Sequence, residues 1–310
     1  MTLQELKYVI AIAGCSSMTE AARELYISQP SLSNAVKELE KELGIEIFNR
    51  YSKGVSLSSE GAEFLTYARQ IMEQVELMEQ RYLNKKPSRK LFSVSTQHYA
   101  FAVNAFSNII KELDTEEYEL TLRETRTYEI INDVRDFKSE VGILYINDFN
   151  RRVLLKLIEE SHLELHTLFT AMPHVFVSSS HPLAGRPATT TEELEEFPFL
   201  CFEQGEYNSF YFSEEILSTL PRKKVIQVSD RATLFNLLIG LNGYTICTGI
   251  LNSDLNGDDI VSVPLVTGET MTVAYLLNPR FKVSSFTLRY LDELKRIISD
   301  YGYDIWEKRL

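Results

Sequence analysis

Apolar side chains at Leu3, Leu6, Val9, Ile10 and Ala13 form one helical stripe, and Thr2 with Glu5 makes a capping box in front of it. A second short helix opens at Thr19, "TEAARELY", and the turn "ISQ" leads into a third, "QPSLSNAVKELEKEL". There Leu32, Ala35, Val36, Leu39 and Leu43 share a face, Ser28 caps the start, Pro30 sits in the first turn and Gly44 closes the end. Apolar and polar residues then alternate on both sides of "YSKG", predicting a two-stranded hairpin. Three helices, the second and third tightly joined, and a hairpin predict a winged helix-turn-helix over residues 1–58. From Ser59 a long linker helix runs to about residue 86, with Phe64, Ala68, Ile71, Val75, Met78 and Tyr82 stepping by four and three. That seam either packs on its own domain or meets a second copy. The copy is favoured because the first three helices already bury one another.

"NKKPSRK", residues 84–90, marks a hinge, and the pattern changes behind it. Strand-like and helix-like runs alternate: "LFSVST", "HYAFAVNAFSNIIKEL", "YELTLRET", "YEIINDVRDFKS", "EVGILYI". A second unit follows with "LELHTLFTAMPHVFVSS", "FPFLCFE", "VIQVSD", "ATLFNLLIGL" and "GYTICT", before "MTVAYLLN" and "SFTLRYLDELKRIISD" return. Alternation predicts α/β architecture on parallel sheets. An effector domain over 87–310 is expected, with lobe one at about 91–165 and 268–300 and lobe two at about 166–267.

Composition narrows the class. Of 310 residues, 44% are hydrophobic and 25% charged, as in an ordinary folded protein, and no apolar run reaches the length of a membrane span. No secretory leader pattern opens the chain, so a cytoplasmic location with no membrane partner is expected. Cys15, Cys201 and Cys247 are scattered and odd in number, which suits small buried hydrophobes rather than disulfides or a metal knuckle. The net charge of -12 lies almost entirely behind residue 90, so any nucleic-acid contact in the near-neutral N-terminal part must rest on local placement.

"AARELYISQPSLSNAVKELEKELGIEIFNR" followed by "GVSLSSEG" resembles the N-terminal motif of the LysR-type transcriptional regulators, and "SSSHPLAGR" at 178–186 resembles a segment of their effector domains. The resemblance spans essentially the whole chain. It implies a winged-helix DNA reader, a dimerising linker helix and a two-lobed domain like the periplasmic binding proteins, assembled as a dimer or tetramer on double-stranded promoter DNA. The leading end of the third helix would then enter the major groove. Gln29 suits an adenine edge, Pro30 a thymine methyl or a sugar, Ser31 and Ser33 bases or phosphates, and Lys37 a phosphate. Arg50 and Lys53 flank the hairpin turn where a wing meets the DNA backbone; Ser31 and Lys53 suit solvated surface equally well. Where the family often has Arg, this chain has Asn34, which pairs with adenine but does not span to guanine or phosphate.

In the α/β region, ligands bind beyond the carboxyl ends of strands, beside helix N-termini. That rule selects Thr96, Gln97 and His98, then Thr125 and Arg126, Phe202, Ser229, and Thr248. Thr96 and Gln97 lead, since hydroxyl and amide donors beside free helix N–H groups suit a carboxylate-bearing metabolite; a plain helix cap is the alternative. Arg126 suits an anionic effector or a surface salt bridge, His98 favours a structural role, and Phe202 is either core or ligand wall. Glu203 and Asp230 would repel an anion, so they face outward or the effector also carries a cation. The rival classes are an enzyme and a plain solute-binding protein. No nucleophile elbow, zinc-protease, phosphate-loop or dinucleotide motif is present, so no catalytic residue, metal or cofactor is expected. His162 and His166 are four apart in a strand-like run, sharing a face rather than forming a helical metal pair.

Overall fold

The computed structural model describes all residues except 16, 52–53, 83–89, 114–116 and 252–256, and the side chains of 76–77, 80–82 and 90–91 also fall outside the description. Lys53, most of the "NKKPSRK" hinge and the Tyr82 side chain therefore lie outside the described residues. Two units divide the chain, Met1–Ser88 and Arg89–Leu310.

In the first unit α1 (Leu3–Cys15), α2 (Met18–Glu24) and α3 (Gln29–Leu43) precede β1 (Phe48–Tyr51), β2 (Gly54–Leu57) and α4 (Ser59–Tyr82). Start and stop signals act as the sequence predicts. Glu5 accepts the Thr2 N–H at 2.7 Å, Ser28 Oγ accepts the Ser31 N–H at 3.3 Å, and Gly44 ends α3 at φ +71°. Val9, Ile12, Leu32, Val36, Leu39 and Ile47 form the core, and β1 and β2 pair antiparallel. The start of α4 docks on this core through Phe64 and Leu65. Ala68 is 1% exposed, so it belongs to the packing of α4 on its own domain and not to the dimer seam expected for it. Phe64 is likewise partly committed, whereas Ile71 and Met78 are exposed and Val75 is half-exposed.

The second unit holds two five-stranded sheets. The first comprises β3 (Lys90–Thr96), β4 (Tyr118–Glu124), β5 (Val141–Ile146), β6 (Glu164–Ala171) and β12 (Met271–Leu277), in the order β4-β3-β5-β12-β6. The second comprises β7 (His174–Ser178), β8 (Phe199–Phe202), β9 (Val225–Val228), β10 (Tyr244–Cys247) and β11 (Ile260–Pro264), in the order β11-β7-β10-β8-β9. Neither sheet is wholly parallel as alternation implied, because β12 runs against β5 and β6, and β7 against β10 and β11. These reversed strands follow from the chain crossing between sheets and returning. The break expected at 165/166 is also displaced. All of β6 pairs with β12 in the first sheet, so the crossing comes at Met172–Pro173. His162 lies in a turn at φ +56° ahead of β6 and shares no strand face with His166.

Helices α5 (Ala100–Lys111) and α9 (Ser285–Asp300) cover one face of the first sheet, where Phe92, Phe106 and Tyr290 pack together. α6 (Thr127–Arg135) and α7 (Arg151–Glu160) cover the other through Ile130, Ile131, Val134, Leu154 and Ile158. α8 (Arg231–Leu241) covers the second sheet through Leu234 and Leu238. The last residues run beside β6, where Thr167 N–H bonds Lys308 O at 3.0 Å and Leu310 N–H bonds Leu165 O at 2.9 Å, covering that sheet edge. Neither α7 nor β11 was expected from the sequence.

Gly61 shows how closely α4 docks: a Cβ there would lie 2.0 Å from the Ile47 carbonyl oxygen. Gly61→Ala should destabilise the N-terminal unit by about 1–3 kcal/mol through this overpacking. Scanning calorimetry should show the transition of that unit lowered and that of the effector domain unchanged.

Candidate functional site

The leading end of α3 is built to be approached. Its inner face buries Leu32, Val36 and Leu39, while Gln29, Pro30, Ser31, Asn34 and Lys37 stand exposed. Ser31 Oγ lies 2.7 Å from Ser28 Oγ, so its hydroxyl belongs to the cap. Arg50 is tied inward from β1. Its Nη1 donates to Ser33 Oγ at 3.1 Å and its Nη2 to Glu40 Oε2 at 3.3 Å. Glu40 Oε1 accepts the N–H groups of Ile47 and Phe48 at 2.9 and 3.0 Å. One carboxylate thus fastens α3 to the start of the hairpin. Ser33 and Arg50 are partners in that scaffold rather than free donors.

In the second unit, the ends of β3, β4 and β8 face one another across the lobes. His98 lies against lobe two: its N–H donates to Glu214 Oε2 at 3.0 Å, its Nδ1 lies 2.9 Å from the same oxygen, and its ring stacks on Phe202 at 3.7 Å. Gln204 Oε1 accepts the Thr127 N–H at 3.2 Å, and the Thr127 hydroxyl donates to Phe212 O at 2.7 Å. Arg126 bridges Glu129 and, across the lobes, Glu203. Behind His98 a cavity of about 30 Å³ is lined from lobe one by His98, Tyr99 and Ala100, and from lobe two by residues that include Phe202, Glu214, Glu215 and Arg231.

Two family models match this arrangement. One, for bacterial regulatory helix-turn-helix proteins of the lysR family, covers residues 3–62; the other, for the LysR substrate binding domain, covers residues 102–296. The chain belongs to the LysR family of bacterial transcriptional regulators. Its relatives are named as regulators and not as enzymes. They include YnfL of Escherichia coli (strain K12), 25% identical over 90% of this chain and 92% of that one. A RuBisCO operon transcriptional regulator of Allochromatium vinosum is 30% identical over 66% of this chain and 65% of that one. Full-length CbnR in complex with its target DNA shares the fold at a TM-score of 0.52 and 18% identity, covering 96% of this chain and 100% of that one. The protein is thus a DNA-binding transcriptional regulator with a substrate-binding domain.

Within that LysR architecture, several expected effector residues prove structural. Thr96 is fully buried, donates to Gln97 O at 2.8 Å, and is separated from α5, whose N-cap is Tyr99. Gln97 is spent on the fold, donating to Thr127 Oγ1 at 2.6 Å and accepting from Tyr145 N–H and Tyr99 OH at 2.9 and 3.0 Å. Thr125 bonds Glu129. Ser229 is exposed ahead of Asp230, the residue that caps α8. Thr248 is fully buried and outside the cavity lining, its carbonyl accepting the Tyr303 hydroxyl at 2.7 Å. His98 and Phe202 remain in the cavity wall, and Arg126 stands as an interlobe ion pair. Glu203 is half-buried and paired with the Arg126 guanidinium, which holds its carboxyl below the usual carboxylate range. Cys201 is buried as expected, but Cys15 and Cys247 are partly exposed, with the Cys15 thiol donating to Glu24 at 3.1 Å. No group of three metal-ligating residues occurs among the described residues, and no described helix is long and apolar enough to cross a membrane.

Sequence reasoning missed Glu214, Glu215 and Arg231. Arg231 directly follows the capping Asp230, so its position at a helix start was a usable signal. The two glutamates lie in an irregular stretch with no periodicity. Glu215 is 2% exposed, and burial, then the adjacent Glu214 charge, push it well above the carboxylate range. Burial opposes the charged form of His98, but the Glu214 carboxylate outweighs it, so His98 titrates above its usual value. The stability His98 contributes is therefore complete below about pH 6.5, its ordinary value, and is lost as pH rises through the higher folded value. Glu215 acts in the same direction, since its ionisation in a buried site opposes folding. Effector-domain stability should decline as pH rises from about 6 to 8, and His98→Gln should flatten that decline without abolishing it. Thermal melts across this range check both statements.

Proposed function

We propose that residues 1–58 bind operator DNA, 59–86 link and pair the chains, and 87–310 bind a small effector between the two lobes. The observation that carries the DNA reading is the exposed polar leading end of α3, held in place by its buried face. Gln29 and Asn34 are positioned to pair with base edges and Pro30 to press on a thymine methyl, with Lys37 on a phosphate. Arg50 acts by holding the wing to α3 through Ser33 and Glu40. Pairing of chains falls to Ile71, Val75 and Met78, the open part of the α4 seam, in a dimer and then a tetramer. The effector's seat is the cavity walled by His98, Phe202 and Arg231. A ligand there reaches the DNA-reading unit by changing how the lobes, and through them the paired chains, are packed. A cytoplasmic location follows from this work on DNA.

Gln29→Ala should weaken binding to cognate operator by about 1–3 kcal/mol and leave random DNA nearly unaffected. Gel shifts at fixed salt on both DNAs check it, and equal loss on both would remove the base-reading role. Ile71→Asp with Val75→Asp should shift sedimentation to smaller species and abolish operator binding, because buried unpaired charge is strongly unfavourable. An unchanged oligomer would place self-association elsewhere.

A further inference from the structure

The interlobe cavity abuts an ion pair in which one atom on each side has no hydrogen bond. Arg231 lines it, and Arg231 Nη2 stands 3.4 Å from Glu124 Oε1 at the end of β4. Glu124 Oε1 and Arg231 Nη1 are both buried, and neither makes a hydrogen bond. Buried polar atoms almost always find partners, so a donor and an acceptor left without hydrogen bonds beside this cavity need an explanation. The surrounding charges do not supply one. His98 and Glu214 satisfy each other at 2.9 Å, Glu215 accepts the Phe202 N–H at 2.9 Å, and Asp230 is occupied in capping α8. The rest of the lining is mainly apolar, with Phe176, Phe202, Leu234, Phe235, Ile246 and Ile250.

We infer that this cavity takes an α-amino acid with an apolar side chain, its carboxylate on Arg231 and its ammonium on Glu124. The inference rests on the reading that the effector sits between the lobes, and it replaces the plain carboxylate expected from the sequence. A ligand with only a carboxylate answers Arg231 but sets a like charge beside Glu124. A ligand with only an amine does the reverse. The zwitterion answers both and adds no net charge to a site whose pairs already balance. Its side chain fits the apolar walls. Seating it requires the lobes to part, since about 30 Å³ holds little more than a water. The Arg126–Glu203, His98–Glu214 and Arg231–Glu124 pairs are the contacts that yield.

The test is calorimetric titration of the full chain with the proteinogenic α-amino acids, then with the des-amino acid and the decarboxylated amine of the tightest binder. An apolar amino acid should bind best, and loss of either charged group should weaken binding about tenfold or more. Glu124→Gln should weaken the amino acid by a similar factor and tighten the des-amino acid, whose carboxylate no longer meets a like charge. Arg231→Met should weaken the amino acid and tighten the amine, whose ammonium no longer meets a like charge. A des-amino acid that binds as tightly as its parent, or a panel with no binder, overturns the inference. Phe202→Ala separates the two levels. If binding of a des-amino acid collapses in that variant, the interlobe site stands and only the amino acid assignment falls. If binding of any ligand survives it unchanged, the interlobe seat itself is wrong.

Discussion

Two adjacent carboxylates, Glu214 and Glu215, are both buried, and a buried carboxylate must be hydrogen-bonded or neutral. The chain meets this requirement in opposite directions. Glu215 turns into its own lobe and accepts the Phe202 N–H, which holds the end of β8. Glu214 turns across to the other lobe and accepts both the His98 N–H and its ring nitrogen. Phe202 then stacks on the ring that Glu214 holds. The lobes are therefore joined by charge, hydrogen bonding and ring contact, in addition to the buried apolar cluster that runs from Phe101 and Phe169 to Phe199 and Ile246. The polar part of that junction is sensitive to a charged ligand.

The DNA-binding unit uses the same device on a smaller scale. Glu40 leaves the middle of α3 to collect two backbone N–H groups of the hairpin and the Arg50 guanidinium. Because Glu40 fixes the hairpin against α3, the exposed end of α3 need carry no structural duty beyond its Ser28 cap. This separation leaves Gln29, Asn34 and Lys37 available at the surface.

Local rules were legible in the sequence where local physics decides. Ser28, Gly44 and the Thr2–Glu5 box act over one helical turn, and α1, α3 and the hairpin follow from them. The α4 seam was legible as a period, but a period does not say what covers it. The domain's own core claims Ala68, and solvent or a partner is left with Ile71 and Met78. Thr96 and Gln97 stand at a strand end, where polar residues serve ligands or the fold equally. Only tertiary placement shows Gln97 engaged with Thr127, Tyr99 and Tyr145. The crossing at Met172–Pro173 was invisible because β6 and β7 read as one strand-like run. Glu214, Glu215 and Arg231 lie far from His98 and Glu124 in sequence, so their meeting depends on the lobes closing on each other.

His98 and Glu214 act as one unit across the lobes. A double-mutant cycle at about pH 6, with His98→Gln, Glu214→Gln and the pair, measures this in the denaturant stability of the full chain's effector-domain transition. A coupling of about 1–3 kcal/mol between the two sites is expected. Single-site effects that add to within about 0.5 kcal/mol would contradict it and leave the lobes held by other contacts.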